Sequence, residues 1–196
     1  TCEETVAKKN SFLLKNHGYN FEVIPSIKRK LTSPQPIKSM GRFRHEAVAF
    51  HNGETGSVYQ TEDRKNGLIY RFLPNNKTKL LNGGRLQALA FIDELSLDTR
   101  NWKKQKVRQG ESFSVKWLDL ENVESPNDDL REQGFEKGCA KFARPEGMWE
   151  HHGKIYFTCT SGGKNELGQI WEYIPSLYEG TPKEQKYPAK LKLFFE

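Results

Sequence analysis

Cysteine is scarce in this chain of 196 residues. Only Cys2, Cys139 and Cys159 occur, and no two of them form a Cys-x-x-Cys pair. Three cysteines cannot all pair within one chain, so the sequence argues against a disulfide framework. Zinc-ribbon spacing is absent as well, and we expect Cys139 and Cys159 to be small buried hydrophobic residues.

Long apolar runs are also missing. No segment approaches the length that a membrane-spanning helix needs. The chain also lacks the positively charged region followed by an apolar region that is typical of a signal peptide. The sequence begins at Thr1 without a methionine. The missing signal peptide therefore gives no information about export.

Basic residues outnumber acidic ones, with a formal net charge of +6, but they are scattered. The one tight run, Lys28-Arg29-Lys30, precedes a proline-rich stretch at 32–36 and predicts a solvated loop. We therefore predict no nucleic-acid partner. A basic surface does favour phosphorylated small molecules, because it raises their local concentration.

The composition favours strands over helices. Methionine occurs twice, whereas aromatic residues make up 12% of the chain, and 16 glycines and 9 prolines interrupt it. Such a composition is typical of short strands joined by turns. The sequence contains no glycine-rich phosphate loop and no Gly-x-Ser-x-Gly nucleophile motif. We predict an all-β fold.

An internal repeat refines this prediction. The segments 56–61 and 67–74 return as 153–158 and 168–175, and each copy has the apolar alternation of two strands joined by a turn. An Arg-x-Glu triplet precedes each copy. The two triplets are about two blades of a common propeller apart, so we expect another blade between them.

The predicted fold is a β-propeller fragment of about three to four blades from a six-bladed ring. Segments 86–91 and 112–117 are the expected strands of the intervening blade, and 122–138 is expected to be a long loop with one helical turn. Residues 1–196 would be part of a single domain truncated at both ends, which would leave open sheet edges. Four tryptophans are expected to pack between blades: Trp102, Trp117, Trp149 and Trp171.

Acidic residues at equivalent blade positions converge at one mouth of a propeller channel. Carboxylates packed that closely repel one another unless cations neutralise them. Calcium prefers carboxylate oxygens, and a thiolate ligand points to a redox-capable metal such as iron. The alternative is that these acids simply face water. The candidates are Cys2, Glu3, Glu46, Glu62, Asp63 and Glu146.

Two arginines accompany these acids. Arg44 and Arg144 each stand two residues before a glutamate, so an extended strand would place each arginine on the same face as that glutamate. A guanidinium at this position could bind a phosphate through two hydrogen bonds. A structural salt bridge to the neighbouring blade is the alternative for both.

Several motifs together resemble the PhoX-type alkaline phosphatases. They are Thr-Cys-Glu-Glu at residues 1–4, Met-Gly-Arg-Phe-Arg-His-Glu-Ala at 40–47, Tyr-Gln-Thr-Glu-Asp at 59–63, Tyr-Arg-Phe-Leu-Pro at 70–74, Phe-Ala-Arg-Pro-Glu-Gly at 142–147, Tyr-Phe-Thr-Cys-Thr-Ser-Gly-Gly at 156–163 and Gly-Gln-Ile-Trp at 168–171. The family's glycine-rich lead into the first motif and its final blade are absent. The resemblance covers most of the chain.

The resemblance implies a secreted or periplasmic phosphomonoesterase, monomeric at full length, that acts on small phosphate esters with iron and calcium. It implies that Cys2 binds iron, that Glu3, Glu46 and Glu146 bind or bridge metals, and that the Glu62-Asp63 pair supplies at least one calcium ligand. Arg144 would bind the phosphate. The role of Glu4, which also matches, is left open.

Two other functions remain open from the sequence. One is a non-catalytic propeller that binds protein or sugar at its channel mouth, and the retained Cys2-Glu3 and Arg144-x-Glu146 argue against it. The other is a calcium-dependent propeller hydrolase of the lactonase type. That enzyme would contain calcium without iron.

Overall fold

The computed structural model describes residues 1–27 and 33–196, so the predicted Lys28-Arg29-Lys30 loop lies outside the described residues. The regular secondary structure of the described part is mostly β-strand, with one short α-helix, which confirms the all-β prediction. None of its helices is long and apolar enough to cross a membrane. The elements are β1 (His45–Phe50), β2 (Val58–Glu62), β3 (Ile69–Pro74), β4 (Gly84–Phe91), β5 (Ser112–Asp119), α1 (Leu130–Lys137), β6 (Pro145–His151), β7 (Lys154–Cys159), β8 (Gln169–Ile174) and β9 (Ala189–Phe195), with 3-10 turns at Lys38–Met40, Leu80–Asn82 and Pro182–Gln185.

The strands form a single antiparallel sheet in the order β1-β2-β3-β4-β5-β9-β8-β7-β6. Its two edge strands, β1 and β6, pack against each other, so the sheet is nearly closed. Consecutive strands pair within β1–β5 and within β6–β9. The turn between β6 and β7 is short, as its glycine predicts, whereas residues 92–111 and 175–188 form long connections before β5 and β9.

The sequence repeat corresponds to two four-stranded units. The first unit is β1–β4 and the second is β6–β9. Each unit carries the same irregularity: the register shifts between His45 and Val48 in the first strand of one, and between Pro145 and Met148 in the first strand of the other. Because bulges re-aim the side chains beside them, the two units direct the glutamates of their Arg-x-Glu triplets in the same way.

The expected blade between the units is not a separate sheet. Its two predicted strands exist, but β4 completes the first unit, and β5 pairs with β4 on one side and β9 on the other. Alternation predicts a strand without naming its partner. Val115 and Trp117 of β5 belong to the apolar core between the two units. The strand β5 therefore connects the first unit to the second. The predicted loop at 122–138 does contain one short helix, α1.

Two apolar clusters form the core, and the larger one holds the units together. The larger one lies between the facing sheets and includes Tyr59, Phe142, Phe157 and Trp171. The second lies on the other face of the first unit and includes Phe43, whose own segment covers that face together with Leu120 and Leu130.

A buried carboxylate links the two units at one end of the central cluster. Glu179 follows β8, and its Oε1 accepts hydrogen bonds from the hydroxyls of Tyr59 and Tyr173, both at 2.7 Å. The same oxygen accepts a charged hydrogen bond from Arg71, and Oε2 accepts one from the backbone of Ser176. Burial raises the pKa of Glu179, but Arg71 and the two tyrosines outweigh it and hold this pKa below its ordinary value.

We expect Glu179→Ala to lower the free energy of unfolding by about 2–4 kcal/mol, because it leaves the buried hydroxyls of Tyr59 and Tyr173 without their acceptor. Arg71 keeps a second carboxylate partner, Glu184, so its charge stays paired. Urea unfolding measures this. The control is Glu124→Gln, which removes one side of the exposed pair with Lys38 and should cost less than about 1 kcal/mol. Equal losses in the two variants would show that the buried link has no special weight.

A second buried carboxylate attaches α1 to the first unit. Glu62 is fully buried; its Oε2 accepts a hydrogen bond from the Tyr70 hydroxyl at 2.8 Å, and its Oε1 lies 3.4 Å from Nη1 of Arg131 in α1. Burial raises the pKa of Glu62 to about 7, although Tyr70 and Arg131 act in the opposite direction. This carboxyl therefore binds its proton more tightly in the folded chain than in the unfolded one.

The raised pKa predicts that stability falls as pH rises from about 4.5 to about 7, since the folded state must release a proton that the unfolded state has already lost. Relative to Glu62→Gln, the unfolding free energy of the wild type should fall by at most roughly 1.4 kcal/mol per pH unit across this window. Urea titrations with a chelator present measure it. Parallel profiles for the two proteins would contradict the assignment.

A candidate metal and phosphate site at the starts of β1 and β6

The glutamates of the two Arg-x-Glu triplets lie close together because β1 and β6 pack side by side. Thr61 of β2 fixes this arrangement: its hydroxyl donates to the backbone oxygen of Glu146 at 2.7 Å and accepts from the backbone N–H of Ala47 at 2.9 Å. Both units thus present Glu46 and Glu146 at the same end of the sheet. Electrostatic repulsion between the two carboxylates contributes to raising the pKa of Glu46.

Asp63, which directly follows β2, is bound by arginines from both triplets. Arg144 donates to its two oxygens, from Nε at 2.8 Å and from Nη2 at 3.1 Å, and Nη2 of Arg44 lies 3.7 Å from Oδ2. Arg144 has a φ of 51°, an uncommon value for a residue with a side chain. Its guanidinium also lies 2.8 Å from an oxygen of Glu146 and is about 42% exposed. The predicted Arg144-Glu146 neighbourhood is therefore present.

Glu46 is the acid in this cluster without a cationic or hydrogen-bonding partner at its carboxylate among the described residues. Its pKa is raised first by partial burial and then by the negative charges of Glu4, Glu146 and Asp63, against a smaller opposite effect of Arg44. A carboxylate in this position is the place where a cation would relieve the most repulsion.

Cys2 lies beside Glu46. Its thiol donates to the backbone oxygen of Glu46 at 3.4 Å, and Cys2 also forms a β-bridge with Asn20. Burial raises the pKa of the Cys2 thiol, and the charges of Glu4 and Glu46 raise it further, against the opposite effect of the terminal amine. A metal bound here would replace the thiol proton, since the thiolate is the ligand form.

Two predicted ligands point elsewhere. Glu3 is occupied by its own loop: its Oε2 accepts from the backbone N–H groups of Gly18 and Tyr19, and its Oε1 lies 2.8 Å from Nδ1 of His17. Glu62 lies beneath α1 with the partners described above. The structure therefore gathers Cys2, Glu46, Asp63 and Glu146, and it leaves Glu3 and Glu62 outside this group.

Glu4 is the acid that the sequence interpretation left open. It raises the pKa of both Cys2 and Glu46, and its backbone oxygen accepts a hydrogen bond from Nε of Arg44 at 3.1 Å. Alternation along an extended segment could have identified it, because residues two apart share a face, as Cys2 and Glu4 do.

These side chains are of the types that bind metal cations, but their present positions do not form a coordination site. Carboxylates suit calcium, and a thiolate among them suits iron. Within residues 1–27 and 33–196, no three His, Cys, Asp or Glu side chains are placed to hold a metal ion as they stand. Asp63 is neutralised by arginine, whereas the Glu46 carboxylate is not. The unpaired Glu46 carboxylate beside Cys2 is the observation that supports a cation here.

Comparisons with known proteins identify the fold and the family of this chain. None of the curated protein sequences matches the chain. Among solved structures, a Pseudomonas fluorescens PhoX in complex with vanadate, a transition-state analogue, is similar with a TM-score of 0.58 at 18% identity, over 89% of this chain and 34% of that one. This likeness shows the propeller-type fold, and the chain spans about a third of that structure's length.

The family model described as alkaline phosphatase PhoX matches residues 3–194. That match covers nearly the whole chain and includes both Arg-x-Glu triplets. The chain therefore belongs to the PhoX alkaline phosphatase family.

Proposed function

We propose that this chain supplies part of the active site of a metal-dependent phosphatase that hydrolyses phosphate monoesters. The arrangement of Arg144 carries the proposal. Its guanidinium is partly exposed, binds the Asp63 carboxylate through two nitrogens, and lies 2.8 Å from an oxygen of Glu146. A planar guanidinium that binds a carboxylate in this way can bind a phosphate with the same geometry.

In this proposal each side chain has a separate role. Arg144 binds and orients the phosphate, and Arg44 adds positive charge on the other side of Asp63. Cys2 would hold iron, and Glu46, Asp63 and Glu146 would hold calcium or bridge the metals. The metal roles of Glu3 and Glu62 stay predictions, since both carboxylates have other partners in the structure.

The cations would neutralise the phosphate oxygens and position an oxygen nucleophile for in-line attack. Two threonines of the chain hold Glu146 in position. Thr160 donates its hydroxyl to Glu146 Oε1 at 2.5 Å, and Thr61 fixes the backbone of the same residue. The Thr61 bond holds β6 against β1, and the Thr160 bond fixes the Glu146 carboxylate within the second unit, so that the glutamates of both units stay at one place.

The proposal extends to the setting of the protein. The scattered basic residues favour a small phosphorylated substrate over a nucleic acid, and the family membership supports a secreted or periplasmic enzyme, monomeric at full length. The chain would be part of a single propeller domain larger than itself, as its coverage of the solved relative suggests.

Cys2 separates this function from the lactonase-type alternative, which would use calcium without iron. The Cys2 thiol, which contacts the backbone oxygen of Glu46, would bind iron and not calcium, because calcium takes oxygen ligands. The same thiol, with Arg144, argues against a purely non-catalytic module.

The test is p-nitrophenyl phosphate hydrolysis and metal content of the natural full-length protein. We expect iron and calcium, and we expect Arg144→Gln to lower kcat/KM about ten- to hundred-fold, from the loss of about 1.5–3 kcal/mol of charged hydrogen bonding. The control is Arg85→Gln, at an exposed pair with Asp119 on β4 and β5, which should leave kcat/KM unchanged.

Cys2→Ser should remove iron and most activity while the protein keeps its calcium. A folded wild type without metal or activity would support the binding-module alternative. Calcium and hydrolysis of an ester other than a phosphate, without iron, would support the lactonase-type alternative.

A further inference from the structure

The long connection between β4 and β5 contains a small cavity with a basic rim. Its volume is about 300 Å³, and side chains of the segment 98–106 line it. It lies at the same end of the sheet as the candidate site, because the antiparallel pairing of β2, β3 and β4 returns the end of β4 to the end of β2. A concave site of this size takes a small molecule or part of one.

The side chain of Asn101 holds this segment in a fixed shape. Its Oδ1 accepts hydrogen bonds from the backbone N–H groups of Lys106 at 2.9 Å and Val107 at 3.2 Å, and its Nδ2 donates to the backbone oxygen of Val107 at 2.7 Å. The φ of Asn101 is 59°, a value that asparagine adopts more readily than most residues do. These bonds close the loop 101–107, so the shape of the cavity is built into the chain.

One wall of the cavity is attached to the turn that also holds the backbone of Arg144. Nη1 of Arg100 donates to the backbone oxygen of Lys65 at 3.1 Å, and the backbone N–H of Arg144 donates to the backbone oxygen of Arg64 at 2.9 Å. Consecutive residues are about 3.8 Å apart. The cavity wall and the segment of Arg144 are therefore bound to neighbouring points of one turn.

Another wall is attached to the turn after β7, which also serves the candidate site. The indole N–H of Trp102 donates to the backbone oxygen of Ser161 at 2.5 Å. Thr160, in the same turn, donates its hydroxyl to the Glu146 carboxylate. The cavity and the proposed phosphate site thus share two supporting turns.

Positive charge exceeds negative charge around the cavity. Arg100 is neutralised by Asp98 through two hydrogen bonds of 2.7 and 2.6 Å, and an acidic side chain lies 3.5 Å from Nζ of Lys106. Lys103 and Lys104 are exposed, and neither is paired with a carboxylate in the described part of the chain. Two unpaired ammonium groups beside one cavity attract an anion.

We propose that this cavity is a subsite for the alcohol part of the substrate, and that it selects phosphate monoesters whose alcohol part carries a second anionic group. Lys103 and Lys104 bind that group, a phosphate or a carboxylate, while Arg144 binds the phosphate that is removed. The inference rests on the proposed function, because it assigns the substrate class of the same site.

A nucleic acid is a poorer occupant of this surface. Recognition of its backbone needs a stripe of basic residues that follows successive phosphates. Here the unpaired charges are two neighbouring lysines beside a cavity, and the basic residues of the chain are otherwise scattered. A single anionic substituent fits this arrangement better.

The test compares two substrates that share one carbon chain, pentane-1,5-diol bisphosphate and pentyl phosphate, with the natural full-length protein. We expect kcat/KM to be about ten-fold higher for the bisphosphate, the size expected for two exposed ion pairs and more than its two equivalent ester groups give. Lys103→Gln combined with Lys104→Gln should abolish this preference and leave kcat/KM for pentyl phosphate unchanged.

The matched control is Lys77→Gln combined with Lys79→Gln. These two exposed lysines lie in the turn after β3, at the opposite end of the sheet, and the change removes the same charge from the molecule. The control should keep the preference. An equal loss of preference in the two double variants would assign it to the general charge of the surface and overturn the inference.

Ionic strength gives a second readout. Exposed ion pairs are screened as the Debye length falls from about 10 Å at about 0.1 M salt to about 3 Å at about 1 M, so the preference for the bisphosphate should shrink across this range. A preference that does not depend on salt would contradict binding by Lys103 and Lys104.

Hydrolysis of p-nitrophenyl phosphate separates failure of the inference from failure of the proposed function. A wild type that hydrolyses this ester without preferring the bisphosphate overturns the inference alone. A wild type that hydrolyses none of the three esters rejects the proposed function and, with it, the inference. Inhibition by a single-stranded oligonucleotide that the Lys103 and Lys104 changes relieve, without a preference for the bisphosphate, would assign the surface to nucleic acid and overturn the inference.

Discussion

The two repeat units depend on the buried charge of Glu179. Its carboxylate accepts hydrogen bonds from Tyr59 and Arg71 of the first unit and from Tyr173 of the second, inside the apolar cluster that the units share. An unpaired charge in that position would be costly, so the sheets must approach until every partner is in place. The two units meet in the same apolar cluster, where β1 also packs against β6.

The candidate site lies at the other end of β2 and uses the same contact. Because β1 and β6 carry the same bulge, their Arg-x-Glu triplets deliver two glutamates and two arginines to one place. The surplus of carboxylates around Glu46 is what makes the site suited to cations, and the fork of Arg144 on Asp63 is what makes it suited to phosphate. A repeat thus produces a site that neither unit contains alone.

Most of the strands and part of the candidate site could be predicted from the sequence. The alternation in 56–61 and 153–158 predicted strands, and the two triplets predicted which acids would meet. The strands that pair with β5 could not be predicted, because β5 has the same alternation whether it forms a new blade or joins β4 and β9. Three other features depend on contacts between distant segments, which the local pattern does not contain. These contacts turn Glu3 toward Gly18, bring Glu179 in from a loop and leave Trp149 exposed.

Anomalous X-ray scattering from crystals of the natural protein tests the central claim most directly. The account predicts an iron peak at the Cys2 sulfur, and calcium density against the carboxylates of Glu46 and Glu146, with Arg144 facing it. Metal bound instead at Glu3 and His17, or an active enzyme with no metal near Glu46, would contradict it.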